Sequence, residues 1–180
     1  MKNYKIYVLR LSHRPNRDKR VTTHLFLAAR AFGANGASYT GQRDLKIENG
    51  VIKVNKSWGG SFELQYTQDW RKMTKAWKKR GGEIIHLTMY GLPVQDVIDE
   101  VKSSRKDKLI IVGGAKVSGE IYEMADWNIA VTSQPHSEVS ALSIFLHMLF
   151  NGQELSKTFE KAAIQISPQA RGKKIVKSDA

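Results

Sequence analysis

The stretch KLIIVGG, residues 108–114, is a short aliphatic run that ends in two glycines. Apolar side chains at consecutive positions are typical of a strand that is buried on both faces of a parallel sheet. The run EIIHLTMYG, residues 83–91, has the same character. Between the two runs, residues 93–104 have helical spacing, with Pro93 in the first turn. This strand–helix–strand order predicts an α/β domain with a parallel-rich sheet.

The rest of the chain extends the alternation of strands and helices. Further strands are predicted at residues 4–11 and 127–133. The remaining predicted helices cover a region from about Asp18 to Phe32 and the segments 69–80, 119–126 and 138–150, the last with Ser137 as its N-cap, and the helical pattern continues over 154–162.

Two segments have the pattern of a β-hairpin. In DLKIENGVIKVN, residues 44–55, Asn49-Gly50 lies between apolar residues, which predicts a tight turn. In the tail, AIQIS and KKIVK flank the turn segment PQARG, over residues 163–177. We therefore expect one main domain at residues 1–160 and a C-terminal β-hairpin extension at residues 161–180.

The charge of the chain is its most informative bulk property. Lysine and arginine number 29 against 17 aspartate and glutamate residues, which gives a net charge of +12 over 180 residues. Such an excess favours a polyanionic partner, with nucleic acid as the first candidate. An anionic membrane surface, or a basic surface that serves only solubility, are the alternatives.

Several classes of protein are disfavoured by composition. The absence of cysteine excludes disulfides, cysteine-based zinc sites and thiol catalysis, and it fits a reducing cytoplasm. The N-terminus is too charged for a signal peptide, and no apolar run approaches the roughly 20 residues that a membrane span needs. No pair of the five histidines has the spacing of metal ligands. We therefore expect a cytoplasmic protein with no membrane partner and no metal.

Three loops follow buried strands and precede helices, and in open α/β sheets ligands bind at such carboxyl ends. Glycine in the second loop allows close approach to the backbone, and the third ends at a helix N-terminus. No G-x-G-x-x-G or complete P-loop motif is present, so a neutral or zwitterionic cofactor is favoured over a nucleotide phosphate. Tight turns without a ligand are the alternative. The loops contain Leu87, Thr88, Met89, Tyr90 and Gly91; Gly113, Gly114, Ala115, Lys116 and Val117; and Ser133, Gln134, Pro135, His136, Ser137 and Glu138.

A fourth loop, SHRPNRDKR at residues 12–20, concentrates positive charge at a helix entrance, where it opposes the helix dipole. Helical spacing places Arg17, Arg20 and His24 on one side. Arginine suits bidentate phosphate contact or the orientation of a hydroxyl. A solvated basic face is the alternative. The basic residues of this loop are Arg14, Arg17, Lys19 and Arg20.

Four motifs carry a family resemblance that extends from about residue 4 to residue 165. They are VLRLSHRPNRDKRVTTHLFLAARAFGA at 8–34, HLTMYG at 86–91, LIIVGGAKV at 109–117 and ADWNIAVTSQPHSEVSALSIFL at 125–146. Together they closely resemble the archaeal tRNA (cytidine-56) 2′-O-methyltransferases of the SPOUT superfamily.

The resemblance implies a SPOUT-type α/β domain whose C-terminal part forms a deep trefoil knot. It implies a homodimer that binds S-adenosylmethionine in the knot and methylates the 2′-hydroxyl of cytidine 56 in the TψC loop of tRNA. The three loops, with the third extended to Thr132 and Val139, would surround the cofactor. The helix at 138–150 would pack in the dimer interface.

One motif departs from the related SpoU branch, which carries a catalytic arginine six residues before the glycine of a Phe-Gly-like pair. Six residues before Gly33 the chain has Leu27. Arg20, two helical turns earlier on the same side, is therefore the predicted catalytic arginine, with Arg17 as the second choice. The predicted RNA contacts are Arg14, Lys19, Arg43, Arg171, Lys173 and Lys174.

Two other functions stay open at this point. One is a SPOUT methyltransferase that acts on another RNA nucleotide, because the target position cannot be read from the residues. The other is a non-catalytic RNA-binding module with a vestigial cofactor pocket.

Overall fold

A parallel sheet forms the centre of the molecule. The computed structural model describes residues 4–114 and 116–177, apart from the side chain of Lys19. In this part of the chain the strand order is β3-β2-β1-β5-β4-β6, and every neighbouring pair is parallel. The strands are β1 (Ile6–His13), β2 (Gly36–Gly41), β3 (Glu63–Tyr66), β4 (Glu83–Pro93), β5 (Lys108–Val112) and β6 (Trp127–Ala130).

Helices connect the strands and cover both faces of the sheet. They are α1 (Pro15–Ala31), α2 (Leu45–Trp58), α3 (Trp70–Lys79), α4 (Val94–Ser103), α5 (Gly119–Met124) and α6 (Glu138–Phe150). The predicted parallel-rich α/β architecture is confirmed. The trefoil knot stays a prediction of the family resemblance.

The strand β5 contributes to the core on both faces of the sheet. Ile110 and Val112 belong to a cluster with side chains from α1, α4 and α6. Leu109 and Ile111 belong to a second cluster that includes Trp77 of α3. Because successive side chains of a strand alternate between faces, a strand covered on both sides needs apolar residues at every position. The consecutive apolar residues of KLIIVGG therefore reflect burial on both faces of the sheet, as the sequence predicts.

Helix α1 begins three residues earlier than predicted. Arg14 is its N-cap residue and makes no side-chain capping bond, and Pro15 occupies the first turn, where its missing N–H costs nothing. Arg17, which precedes the predicted start of the helix, therefore lies in its first turn. At the other end, Gly33 adopts a φ of 91°, a conformation that suits a residue after a helix C-cap.

The hairpin predicted for residues 44–55 is wrong, because this segment lies in helix α2. Asp44 caps the helix by accepting a hydrogen bond from the Lys46 amide at 2.9 Å. Ile47 and Val51, four residues apart, are buried in the core. Gly50 costs a helix about 1 kcal/mol relative to alanine, and the burial of this apolar stripe outweighs that cost.

Strands β2 and β3 are not predicted from the sequence, because GASYTG and ELQY lack the aliphatic runs of the other strands. Where a helix is predicted over 154–162, the structure has a single 3₁₀ turn, Gln153–Ser156. Asn151 and Gly152 both have positive φ and end α6 before it. The predicted helix at 138–150 and its Ser137 cap are confirmed.

The predicted C-terminal hairpin is confirmed as strands β7 (Ile164–Ser167) and β8 (Lys174–Lys177), which pair antiparallel in a separate sheet. The segment before it is fixed to the main domain. The Gly60 amide donates to the carbonyl of Glu160 at 2.9 Å, and the Arg30 guanidinium lies 4.3 Å from the centre of the Phe159 ring. The hairpin is therefore tethered at its base, while most of its side chains are exposed.

Candidate active site

The carboxyl ends of β1, β4 and β5 and the segment after β6 surround a cavity of about 430 Å³, called here the central cavity. This volume lies in the range of small-molecule and cofactor sites. The three loops predicted from the sequence meet at it. Its lining includes Leu87, Thr88, Met89, Tyr90, Gly113, Gly114, Val117, Gln134, Pro135, His136, Ser137 and Glu138.

An irregularity in β4 shapes one wall of the cavity. This strand pairs with β6 through Leu87 and again from Leu92, with a register shift between the two. The residues between them form a bulge beside the cavity. Gly91 permits it, since a Cβ at this position would lie within 2.6 Å of backbone atoms of Asn128 and Ile129. Gly91 thus supports the predicted loop without lining the cavity.

A hydrogen-bonded network lies beneath this wall. The Asn128 amide is oriented because its Nδ2 donates to the carbonyl of Tyr122 at 2.8 Å. Its Oδ1 then accepts from His86 Nδ1 at 2.9 Å, and the Tyr122 hydroxyl lies 3.1 Å from Thr88 Oγ1. Burial lowers the pKa of His86, which favours the neutral imidazole. The cavity therefore presents neutral donors and acceptors here, which fit the ribose and base of a nucleoside.

Arg10 is a cavity residue that the sequence analysis missed. It lies in β1, its side chain is 2 % exposed, and its guanidinium lines the cavity beside Gly114. An arginine within the aliphatic strand IYVLRLSH is the signal that could have identified it, because a buried charge requires a partner.

The N-terminus of α6 closes another side. Ser137 Oγ accepts a hydrogen bond from the Val139 amide at 3.1 Å, and the Glu138 carboxylate faces Arg10. His136 is exposed, and its Nδ1 lies 3.1 Å from the Ser137 carbonyl. The N-terminus of α6 and its polar side chains can thus bind polar atoms of a ligand.

Some predicted cofactor residues are not in the lining of the central cavity. Thr132, Ser133 and Val139 flank the lining residues of the third loop, and Lys116 instead lines a neighbouring cavity. Ala115 lies outside the described residues.

The neighbouring cavity, called here the basic cavity, has a volume of about 540 Å³. It shares Arg14, Arg17 and Gly114 with the central cavity. His13 lies in its wall, and desolvation lowers the pKa of this imidazole, although Asp44 opposes the shift. The basic cavity is lined by Ser12, His13, Arg14, Arg17, Gly41, Gln42, Gly114 and Lys116. Adjoining cavities of this kind can hold a cofactor and an anionic acceptor side by side.

The two candidate catalytic arginines occupy different positions. Arg17 lies in the first turn of α1 and lines both cavities. Arg20 lies one turn further along α1, is exposed, and lines neither cavity of the described chain. The geometry therefore brings Arg17, and not Arg20, to the cavities formed by the same chain.

The predicted RNA contacts are spread over the surface. Arg43 is exposed and pairs with Glu48 through Nε and Nη2, both at 3.1 Å. Arg171, Lys173 and Lys174 are exposed in the C-terminal hairpin. Lys19 lies in α1, and its side chain is outside the described residues.

Two classes of site are not found in the part of the chain that the structure describes. Over these residues, no group of three or more histidine, aspartate or glutamate side chains is arranged to hold a metal ion. Among the described helices, none is both long enough and apolar enough to cross a membrane.

Solved structures share this fold. A TrmH/SpoU tRNA modifying enzyme of A. aeolicus matches with a TM-score of 0.59 and 16 % identity, over 87 % of this chain and 78 % of that chain. The SpoU methyltransferase AviRb of Streptomyces viridochromogenes, in complex with AdoMet, matches with a TM-score of 0.60 and 13 % identity, over 84 % and 58 % of the two chains. The fold is that of the SPOUT methyltransferases.

The sequence comparisons define the family within this class. The family model described as tRNA ribose 2′-O-methyltransferase, aTrm56, matches residues 58–176. The tRNA (cytidine(56)-2′-O)-methyltransferase of Methanothermobacter thermautotrophicus is 52 % identical over 97 % of each chain. Its counterpart of Hyperthermus butylicus is 54 % identical over 98 % of this chain and 94 % of that protein. The chain belongs to the aTrm56 family of tRNA ribose 2′-O-methyltransferases.

Proposed function

We propose that this protein transfers a methyl group from S-adenosylmethionine to the 2′-hydroxyl of cytidine 56 in tRNA. The observation that carries the proposal is the junction of two cavities at the carboxyl ends of the sheet. One has the size and polarity of a cofactor site, and the other is basic. Family membership and the named relatives supply the reaction and the target nucleotide.

The central cavity is the proposed cofactor site. Bound there, S-adenosylmethionine supplies a methyl group that is already activated by a sulfonium. The loop after β4, with Thr88 and the network of His86 and Tyr122, suits the adenosine part. The second and third loops suit the remainder of the molecule. Thr132, Ser133 and Val139 support the third loop from outside the lining.

The basic cavity is the proposed position of the acceptor nucleotide. The ribose oxygen must approach the methyl carbon in line with the carbon–sulfur bond, so alignment supplies much of the catalysis. Arg14 and Arg17 lie where the two cavities join and can fix a phosphate beside the reacting ribose. With S-adenosylmethionine bound, the products would be the 2′-O-methyl ribose and S-adenosylhomocysteine, with the hydroxyl proton released to solvent.

Arg17 is the catalytic arginine that the geometry of a single chain favours. Arg20, the first choice of the sequence prediction, lies outside both cavities of its own chain. A catalytic role for Arg20 therefore requires that it reach the cavity of a second chain. The two assignments make different predictions for the variants of each residue.

A homodimer is proposed from the family resemblance and from exposed apolar side chains near the central cavity. Tyr90 and Leu92 lie in the β4 bulge and its end, and Ile144 lies on α6, and all three are exposed. Ala141, one turn before Ile144, lines the cavity together with Tyr90. A second copy that covers this surface would remove apolar area from water and bring a second chain close to the cofactor site.

The C-terminal hairpin is proposed as an RNA-binding extension, with residues 1–160 as the methyltransferase domain and residues 161–180 as the extension. Its basic side chains are exposed, and they add to the net charge of +12. Phosphate contacts of this kind depend strongly on salt. A cytoplasmic location is proposed because the substrate is tRNA and the chain has no cysteine.

The proposed function is tested by incubating the protein with labelled S-adenosylmethionine and unmodified archaeal tRNA, followed by mass mapping of the product. A 2′-O-methyl group on cytidine 56 is the expected result. Methyl on another nucleotide would assign a different target within the same fold. Cofactor binding without transfer would support a non-catalytic RNA-binding module.

A further inference from the structure

The buried arginine of β1 has few partners in the described part of the chain. The Nη2 atom of Arg10 lies 3.3 Å from Oε1 of Glu138 and forms an ion pair with it. Among the described residues, Nε and Nη1 of Arg10 are buried without a hydrogen-bond partner. Unsatisfied buried donors on a charged group are costly, so their retention requires an explanation.

A second buried cation in the same sheet shows what a structural pair looks like. Lys108, in the neighbouring strand β5, is also fully buried. Its Nζ lies 3.0 Å from Glu83 Oε2 and 3.2 Å from each of the carbonyls of Ser104 and Lys106. All three hydrogens of this ammonium are thus used within the fold. Arg10 is different, because its Nε and Nη1 have no hydrogen-bond partner among the described residues.

Arg10 lies at the central cavity, so a ligand of this cavity is the candidate partner for its unpaired donors. The side chain lines the central cavity, and a Cβ on Gly114 would lie 3.6 and 3.7 Å from its Nη1 and Nη2. Because Gly114 has no side chain, no Cβ packs against this side of the guanidinium. Glu138 also lines the cavity, and a third of its side chain is exposed, so its carboxylate is accessible to a ligand. The Arg10 guanidinium is buried behind it and is 2 % exposed.

We propose that Arg10 and Glu138 together bind the amino-acid end of the cofactor, with the carboxylate on Arg10 and the ammonium on Glu138. This inference rests on the proposed function, since it assumes S-adenosylmethionine in the central cavity. An α-amino acid carries both charges on one carbon, and two opposite protein charges 3.3 Å apart match that arrangement. The unpaired Nη1, together with the second N–H of Nη2, can bind a carboxylate at two points, which a single ammonium ion could not.

The test compares two ligands that differ only at the amino-acid end. S-Adenosylhomocysteine carries it, and 5′-methylthioadenosine keeps the nucleoside and the sulfur but lacks it. Calorimetry on the full chain gives the ratio of the two dissociation constants. We expect S-adenosylhomocysteine to bind about 10- to 100-fold more tightly, the range for one or two charge-assisted hydrogen bonds.

Arg10→Met should remove most of this ratio by weakening S-adenosylhomocysteine, while 5′-methylthioadenosine binds as before. Glu138→Gln should reduce the ratio less, and it serves as the second variant because its site is partly exposed. Arg71→Met is the matched control, because Arg71 pairs with Glu120 on the surface and lines neither cavity, and it should leave the ratio unchanged.

An unchanged ratio in both Arg10→Met and Glu138→Gln, or an equal loss of affinity for both ligands, would overturn the proposal. If the ratio is unchanged while tRNA binding weakens, Arg10 holds an RNA phosphate instead. Failure of the unaltered protein to bind either ligand would refute the cofactor site itself. That outcome differs from a failure of the Arg10 proposal, in which both ligands bind and only their ratio is wrong.

Discussion

The Nε of Arg14 lies 3.4 Å from Oδ2 of Asp18, one turn later in α1, and this ion pair lies where the first turn of α1 meets the two cavities. The same aspartate lies 3.9 Å from Nε of Arg17. Asp18 thus offsets part of the positive charge at a helix N-terminus, where cations are unfavourable. The Arg14 side chain is still 50 % exposed and that of Arg17 65 %, so both can bind a phosphate.

Arg17→Ala should lower the methylation rate by about 100- to 1,000-fold, the usual loss when one transition-state contact is removed. The dissociation constant of S-adenosylmethionine should change little, because the Arg17 side chain is 65 % exposed and is not enclosed by the central cavity. Single-turnover assays with tRNA and calorimetry with the cofactor separate the two effects.

Arg20→Ala is the matched comparison, because this arginine lies on the same helix outside both cavities. Near-normal turnover in Arg20→Ala, together with a loss in Arg17→Ala, is the result expected from the geometry of one chain. The opposite pattern would return the catalytic role to Arg20 and place it in the site of a partner chain.

The hairpin charges should set part of the salt dependence of tRNA binding. Each phosphate contact contributes close to one unit to the slope of log affinity against log salt. Replacing Arg171, Lys173 and Lys174 by glutamine should therefore reduce the slope by about 2 to 3 units, as measured by filter binding over a series of salt concentrations.

The control for the hairpin charges is the pair Arg105→Gln and Lys106→Gln. Both residues are exposed just before β5, at the end of the sheet opposite the central cavity. Their replacement should leave the slope nearly unchanged. An equal change in both sets of variants would mean that the hairpin attracts tRNA only through the net charge of the protein.

Much of the fold could be predicted from the sequence because the apolar residues of the central strands indicate that these strands are buried. β4 and β5 are aliphatic at consecutive positions, and only a strand covered on both faces needs that pattern. The meeting of the three loops at the central cavity could be predicted for the same reason, since the carboxyl ends of parallel strands meet at one edge of the sheet.

The errors also have physical causes. Asn49-Gly50 has the local chemistry of a turn, but Ile47 and Val51 gain more from burial as a helix than the turn offers. Arg10 was missed because its role depends on Glu138 and Gly114, which are distant in sequence. Pairings across a sheet leave no local pattern, so buried charges inside apolar strands are the residues to inspect first.

The exposed apolar side chains near the central cavity lead to a prediction about assembly. Ile144→Asp places a charge on the exposed face of α6 and should shift the protein from dimer to monomer in light scattering after gel filtration. Ile52→Asp, at an equally apolar and more exposed position on α2, is the control and should leave the mass unchanged. A monomeric unaltered protein, or dissociation in both variants, would contradict this interface.

Buried histidines should make the protein less stable at mildly acidic pH. Desolvation lowers the pKa of His86 and of His13 from the ordinary value of 6.5, so the unfolded chain binds these protons at a higher pH than the folded chain does. Stability therefore falls as pH drops below about 6.5 and is regained above it. Urea denaturation at pH 7, 6 and 5 should show the midpoint decreasing in this order.

His86→Gln should flatten the decrease, because the buried imidazole that resists protonation is gone. His24→Gln, which removes an exposed imidazole, should follow the unaltered protein. Parallel curves for all three proteins would mean that acid acts through groups other than His86.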